Sequence, residues 1–283
     1  MRYLLIILLF CAVPAQAQVK GGIKVGMNLS SIRGPVVNDS TGRESYRATT
    51  GFQVGPFINW KWTPVVGLRA ELLYNQAGGR YEFDGVGFNI FRAEDGTKIV
   101  AYGPKKIILN VTNSYLHLPL LVYGRVGAFQ VEAGIRPGLL VSSFGDGKLT
   151  FSGTTSGGTV VPEMEQELFF NYLRDKAGDA DFNDVKQLIL DGKLAKIPQR
   201  LKAYFFEDEN KRLYTRFDLD VTVGAAYYFN RSLHIGVRAA FGLSDLTNNA
   251  ADFDQIKTNG LNLIRSGDKD KLFQISLSVG FSM

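Results

Sequence analysis

Cysteine is almost missing from this chain: of 283 residues only Cys11 is one, and it lies inside an apolar N-terminal stretch. Loss of that stretch would leave no thiol, so disulfides, thiol catalysis and cysteine metal sites are excluded together. Histidine is limited to His117 and His234, and proline is sparse at 9 residues. Beyond the N-terminal stretch, nothing approaches the roughly 18 consecutive apolar residues of a membrane-crossing helix. Charge of one sign is also short. The 32 basic and 27 acidic residues are close to balance, and no clustered basic patch of the kind that binds nucleic acid is present. Nucleic acid is therefore not expected as a partner, and no cofactor-binding motif stands out.

What is present begins with a secretory signal. Arg2 supplies a short basic region, Leu4 to Val13 an apolar one, and Ala15-Gln16-Ala17 a small-residue cleavage site. Residues 1–17 read as a signal peptide cut after Ala17, leaving 18–283 as one exported domain. Cys11 is in the apolar region and not at the cleavage point, which argues against a lipid anchor.

The dominant periodicity of the remainder is two, the signature of strands. Leu233, Ile235, Val237, Ala239 and Phe241 alternate with Ser232, His234, Gly236, Arg238 and Ala240. Phe273, Ile275, Leu277, Val279, Phe281 and Met283 alternate with Gln274, Ser276, Ser278, Gly280 and Ser282. Six further segments behave alike: about 23–31, 50–62, 65–76, 113–124, 127–143 and 216–229. One parity is nearly free of charge. The other carries Lys24, Asn28, Gln53, Asn59, Arg69, Glu71, His117, Gln130, Glu132, Arg136, Asp218 and Asp220. Eight such strands of about ten residues fit a tilted antiparallel transmembrane β-barrel.

The connections support a membrane setting. Short turns fall around Thr63-Pro64, Arg125-Val126 and Asn230-Arg231, whereas 32–49, 77–112, 144–215 and 243–272 are long. All short connections thus lie at one end, as in outer-membrane barrels with short periplasmic turns and long extracellular loops. Aromatics on the apolar parity form two levels. Trp60, Trp62, Phe129, Tyr227, Phe229 and Phe281 lie near the short turns; Phe52, Tyr74, Phe217, Phe241 and Phe273 lie near the long loops. Amphipathic rings prefer those two interfaces. A soluble ligand carrier of lipocalin type closes in the same way with its apolar parity inward. In a bilayer that orientation would place Arg69, Arg136 and Arg238 in lipid at about 2–4 kcal/mol each near the midplane.

Five segments resemble the PorT-like outer-membrane barrel family of the Bacteroidetes. They are Gly22-Ile-Lys-Val-Gly-Met-Asn-Leu-Ser30, Gly51-Phe-Gln-Val-Gly55, Leu68-Arg-Ala-Glu-Leu-Leu-Tyr74, Tyr115-Leu-His-Leu-Pro-Leu-Leu121 and the final Gly280-Phe281. The resemblance spans the barrel and implies fold and location. Its namesake is associated with type IX secretion, and the segment between strands 5 and 6 is longer than the family leads one to expect.

Among the inward charges, Arg69 with Glu71, Glu132 with Arg136, and Asp218 and Asp220 with Arg238 are the pairings that parity and hairpin register predict. A self-neutralising interior or a selectivity path would both use them, and eight strands leave little open space. His117 with nearby Ser114 is the better of two weak hydrolase candidates, but the two residues differ in parity. His234 has no serine–carboxylate companion. No catalytic, cofactor-binding or metal residue is assigned.

Residues 145–215 depart from the pattern and are expected to form a small helical insert between strands 5 and 6. Pro162, then Glu163, Glu165 and Glu167, then Arg174, Lys176 and Gly178, suits a capped helix with Met164, Leu168, Tyr172 and Phe169 as its stripe. A second helix is expected from Asn183 to Leu190 ending at Gly192, and a third after Pro198. Asp179, Asp181 and Asn183 have calcium-loop spacing, but Asp184 and Leu190 stand where the turning glycine and bidentate glutamate belong; helix capping is the simpler account. The expected function is a non-enzymatic barrel with membrane lipid around it and a protein partner at its extracellular loops. A narrow pore and a lipid-modifying enzyme are the alternatives.

Overall fold

The computed structural model describes residues 19–36, 38, 40–259, 262–265, 267 and 269–283. The expected signal segment lies outside the described residues. The strands in chain order are β1 (Val19–Arg33), β2 (Gly42–Arg47), β3 (Thr49–Lys61), β4 (Val66–Glu71), β5 (Leu73–Arg92), β6 (Lys98–His117), β7 (Leu120–Val126) and β8 (Phe129–Thr155). They continue as β9 (Val160–Asn171), β10 (Ala180–Leu190), β11 (Lys193–Leu201), β12 (Phe217–Tyr228), β13 (Leu233–Gly242), β14 (Phe253–Asn259), β15 (Asn262–Arg265) and β16 (Lys271–Ser282).

Eight of these paths close a barrel. Going round, β1 pairs β3, β3 pairs β4, β4 pairs β7, β7 pairs β8, and β12, β13 and β16 return to β1, all antiparallel. Toward the outside, β5 continues β4 and β6 precedes β7, each path interrupted for only one or two residues. Pro119 lies in the second gap and has no N–H to give a ladder. Isolated bonds carry the pairing across: Glu71 N–H donates to Pro119 O and Leu72 N–H to Pro56 O, both at 3.0 Å.

Alternation decides which face meets lipid. Met27 is 67% exposed beside Asn28 at 2%, and Leu277 is 64% exposed near Gln274 at 1%. The apolar parity faces outward and the charged parity inward, which rules out the lipocalin orientation. Both aromatic levels lie on the outside. Phe129 and Tyr227 meet at 5.1 Å near the short turns, and Phe241 and Phe273 at 5.3 Å near the long loops.

The helical insert is not there: among the described residues no helix occurs, and 145–215 is built of strands. The barrel wall itself continues outward, since β8 runs to Thr155 and pairs β6 along that whole extension. Segment 77–112, read as a loop, is the β5–β6 hairpin. β9 then pairs β8, β11 pairs β9 in parallel, and β10 pairs β11. The acids Glu163, Glu165 and Glu167 are the solvated parity of β9, opposite Met164, Gln166 and Leu168. Gly192 does not end a helix. With Asp191 it makes a two-residue hairpin turn, both residues at positive φ (50° and 76°), as the I′ geometry of a tight hairpin demands. Asp181 caps no helix either; its Oδ1 accepts from Asn183 N–H within β10.

This extracellular β head encloses its own core. Phe83, Phe91, Ile107, Leu149, Phe151, Val161, Leu168, Ile197 and Leu201 are all buried in it. A bridge between Ala93 and Ala195 curls β11 back toward the tip of the β5–β6 hairpin.

Candidate functional site

The lumen is filled from the periplasmic half upward. Lys24 on β1, Arg69 and Glu71 on β4, Glu132 on β8 and Arg238 on β13 all point inward because each occupies the charged parity of its strand. Arg238 donates to both oxygens of Glu71 at 2.8 and 3.0 Å and also binds Glu132 Oε1. Lys24 Nζ reaches Glu71 Oε2 at 2.8 Å, and Arg69 Nη1 reaches Glu132 Oε2 at 3.1 Å. The remaining Arg69 donors go to Asn59 Oδ1 (2.6 Å) and Tyr228 Oη (2.8 Å). Burial of such ions is tolerable only when nearly every donor and oxygen is engaged, and planar guanidinium forks do this best. The pairing differs from the sequence expectation. Arg238 serves Glu71 and Glu132 and not Asp218 and Asp220, because inward side chains meet across the lumen as well as along a hairpin.

Above this network lies an amide layer in which Asn28 Nδ2 donates to Asn75 Oδ1 (2.8 Å) and Asn75 Nδ2 to Gln274 Oε1 (3.1 Å). At the outer end of the lumen, Arg136 Nε donates to Asp220 Oδ2 at 2.7 Å, so Arg136 pairs across β8–β12 and not with Glu132. Asp218 accepts from Ser244 Oγ at 2.6 Å. His117 is fully buried beside both aspartates, while Ser114, on the other parity, bonds Tyr74 Oη at 3.0 Å. The His117–Ser114 pair is therefore not brought together. His234 stacks on Tyr228 at 4.6 Å near the periplasmic end.

A layer of Ile32, Tyr115, Leu140, Tyr172, Tyr214, Leu246 and Leu272 seals the lumen from above. Over it opens a cavity of about 730 Å³ at the extracellular mouth, lined among others by Tyr46, Tyr81, Tyr172, Tyr214, Glu44, Asp252, Asp270 and Arg265. Tyr172 and Tyr214 meet edge to face at 4.9 Å, and the tilted rings of Tyr46 and Tyr81 lie 5.4 Å apart. Burial pushes the Tyr204 phenol up to about 12, and its hydroxyl donates to Tyr172 O at 2.7 Å. Arg265 grips Glu207 with two bonds of 2.5 and 2.7 Å at the cavity edge. A smaller apolar recess of about 130 Å³, lined by Leu149, Leu168, Phe170 and Phe206, adjoins it. Tyrosine faces beside carboxylates offer stacking and polar contacts to a ligand that enters from outside.

Two features escaped the sequence reading. Lys105 on β6 is buried in the head, donating to Phe88 O (2.9 Å) and Gln255 Oε1 (3.0 Å). Burial lowers its ammonium to about 7 despite the opposing pull of Asp254. In the sequence its segment reads as a long connection, where parity gives no face. The second is a cationic funnel of about 430 Å³ at the periplasmic end, lined by Lys20, Lys61, Arg125 and Arg231 with no carboxylate. Those four residues come from the start of β1, the ends of β3 and β7 and the β12–β13 turn, and only barrel closure collects them. Asp179, of the calcium-like spacing, is engaged by Lys202 Nζ at 2.9 Å.

No curated protein matches the chain. Among solved structures it is similar to Ail, the attachment invasion locus protein of Yersinia pestis, at 10% identity over 94% of this chain and 99% of that one, TM-score 0.35. It is also similar to the outer membrane protein OprG from Pseudomonas aeruginosa (12%, 94% of each chain, TM-score 0.30). A third is the outer membrane protease OmpT from Escherichia coli (10%, 94% and 96%, TM-score 0.29). The family described as outer membrane protein beta-barrel domain matches residues 14–248. A closed eight-stranded barrel with a lipid-facing apolar parity and two aromatic girdles agrees with that match, and the chain belongs to this family of the outer membrane.

Proposed function

We propose that the protein is a non-enzymatic, non-conducting outer-membrane anchor that presents its extracellular head and mouth to a protein partner, as an accessory or interaction subunit. The observation that carries this reading is the filled lumen. The mouth cavity and the periplasmic funnel are separated by the tyrosine–leucine layer, the amide layer and the five-residue ion network, all built from buried side chains. The interior of an eight-stranded barrel is just wide enough for side chains to fill, and here they do. The head, by contrast, extends the wall with its own core and leaves Val160, Phe169 and Ile189 more than half exposed. The PorT-like likeness of the barrel strands supports the finer reading of an accessory role in protein secretion or a surface nutrient complex.

The test uses intact protein. Purified barrel in planar bilayers is expected to show no steady conductance at moderate voltage. Photo-cross-linkers placed at Phe169 and Ile189 in native outer membranes should give one defined protein adduct, while a cross-linker at lipid-facing Leu277 should give none. Regular long-lived channel steps, or head positions that yield no adduct, would overturn the proposal.

A further inference from the structure

We propose that the outer end of the lumen holds a divalent transition-metal ion of the zinc type, bound by His117, Asp218 and Asp220. His117 Nε2 lies 3.6 Å from Asp218 Oδ2 and 3.8 Å from Asp220 Oδ2, the oxygen that Arg136 also holds. One donor atom from each of the three residues falls within 4.8 Å of the others. Zinc–nitrogen and zinc–oxygen bonds near 2.0–2.2 Å in a tetrahedron require donors about 3.3–3.6 Å apart. The observed separations are too long for hydrogen bonds and close to that spacing.

The second observation is what these atoms lack. Both ring nitrogens of His117, Asp218 Oδ2 and Asp220 Oδ1 are buried with no hydrogen-bond partner. Unsatisfied buried polar atoms are costly, and the open His117 Nε2 facing the open Asp218 Oδ2 calls for an occupant between them. Arg136 engages Asp220 Oδ2 and Ser244 engages Asp218 Oδ1, so each carboxylate is fixed through one oxygen and keeps the other open. Two carboxylates against one guanidinium leave the pocket one negative charge in excess when His117 is neutral.

The site is also shaped for its imidazole. Tyr115 stacks on the ring at 5.1 Å. A Cβ on Gly138 would fall 2.2 Å from His117 Cδ2 and 2.5 Å from Nε2, so only glycine admits the ring in this pose. A mixed imidazole–carboxylate set suits zinc or a neighbouring first-row ion better than calcium, which takes oxygen donors alone. The ligands come from β6 and β12, on either side of β8, so the ion would staple three neighbouring strands beneath the mouth.

The experiment takes untagged full-length protein in detergent, stripped with chelator, and titrates it with zinc by calorimetry. One equivalent is expected, with a rise in the temperature at which the folded band on unboiled gels is lost. X-ray absorption of the loaded protein should show one imidazole nitrogen among oxygen donors. His117→Gln and Asp218→Asn should each weaken binding roughly tenfold or more. Both are close in size to the native residue, and the gel shift reports folding of each. Stoichiometric uptake that survives both substitutions in folded protein, a response to calcium with none to zinc, or no uptake by the folded wild type would overturn the proposal.

Discussion

Arg238 on β13 clamps Glu71 on β4 through two hydrogen bonds of 2.8 and 3.0 Å, reaching across the lumen between strands that are not neighbours. Glu132 shares the same guanidinium. Loss of the cation would strand two buried carboxylates with only Lys24 and Arg69 to serve them. Arg238→Met should destabilise the barrel by about 3–5 kcal/mol, measured by urea unfolding in lipid vesicles. Adding Glu71→Gln to that variant should recover part of the loss. An Arg238→Met barrel as stable as wild type would mean that the ions are solvated by lumenal water and the interior is not closed.

Leu277 sits midway between Phe273 and Phe281 on the lipid face and pairs with Met27 and Val237. Leu277→Arg should therefore cost about 2–4 kcal/mol on refolding into bilayers. Gly236→Ala serves as the control, because a Cβ there meets its neighbours at 3.4–3.5 Å, an ordinary contact. Equal losses for the two variants would contradict the assigned orientation.

Lys105 carries a pH signature. Its ammonium is lowered in the folded head to about 7 from the ordinary 10.5, so between those values the unfolded chain binds the extra proton. Stability then rises with pH across that window and is lowest, and flat, below about 7. Lys105→Met removes the titration. Hydrogen exchange of β5 and β6, corrected for intrinsic rates, should show the variant gaining on wild type most at pH 6 and least near pH 10. A difference that does not change with pH would place Lys105 in contact with water.

The Asp191-Gly192 turn offers a direct check on the head. Gly192 has φ of 76°, where a β-branched side chain is strained. Gly192→Val should loosen the β10–β11 hairpin by roughly 1–3 kcal/mol, seen as new protease cleavage near residue 192 with the barrel intact. Unaltered cleavage would count against the hairpin.

Barrel strands were legible in the sequence because one face meets lipid and the other a crowded polar interior. That contrast writes a period of two into residues such as Leu233 to Phe241, and the wall observed there agrees with it. The head obeys the same rule in Met164, Gln166 and Leu168 and in Ala195, Ile197 and Leu201. The sequence suggests helix there because Pro162, the three glutamates and Gly178 also satisfy the end signals of a helix. Local capping chemistry cannot tell a helix terminus from the solvated side of a strand. The Asp191-Gly192 pair was the stronger signal, since both residues need positive φ only in a tight hairpin.

Parity alone set which residues enter the lumen: Lys24, Arg69, Glu71, His117, Glu132, Arg136, Asp218, Asp220 and Arg238 are all inside. It could not set their partners. Sequence register relates a residue only to the strands beside it, whereas a closed barrel brings opposite walls within reach of one guanidinium. Arg238 therefore meets Glu71 on β4, and His117 on β6 meets two aspartates on β12, through the tilt and closure of the sheet. Which face meets lipid is a property of alternation; which charge meets which across the lumen is decided by the curvature that closes the ring.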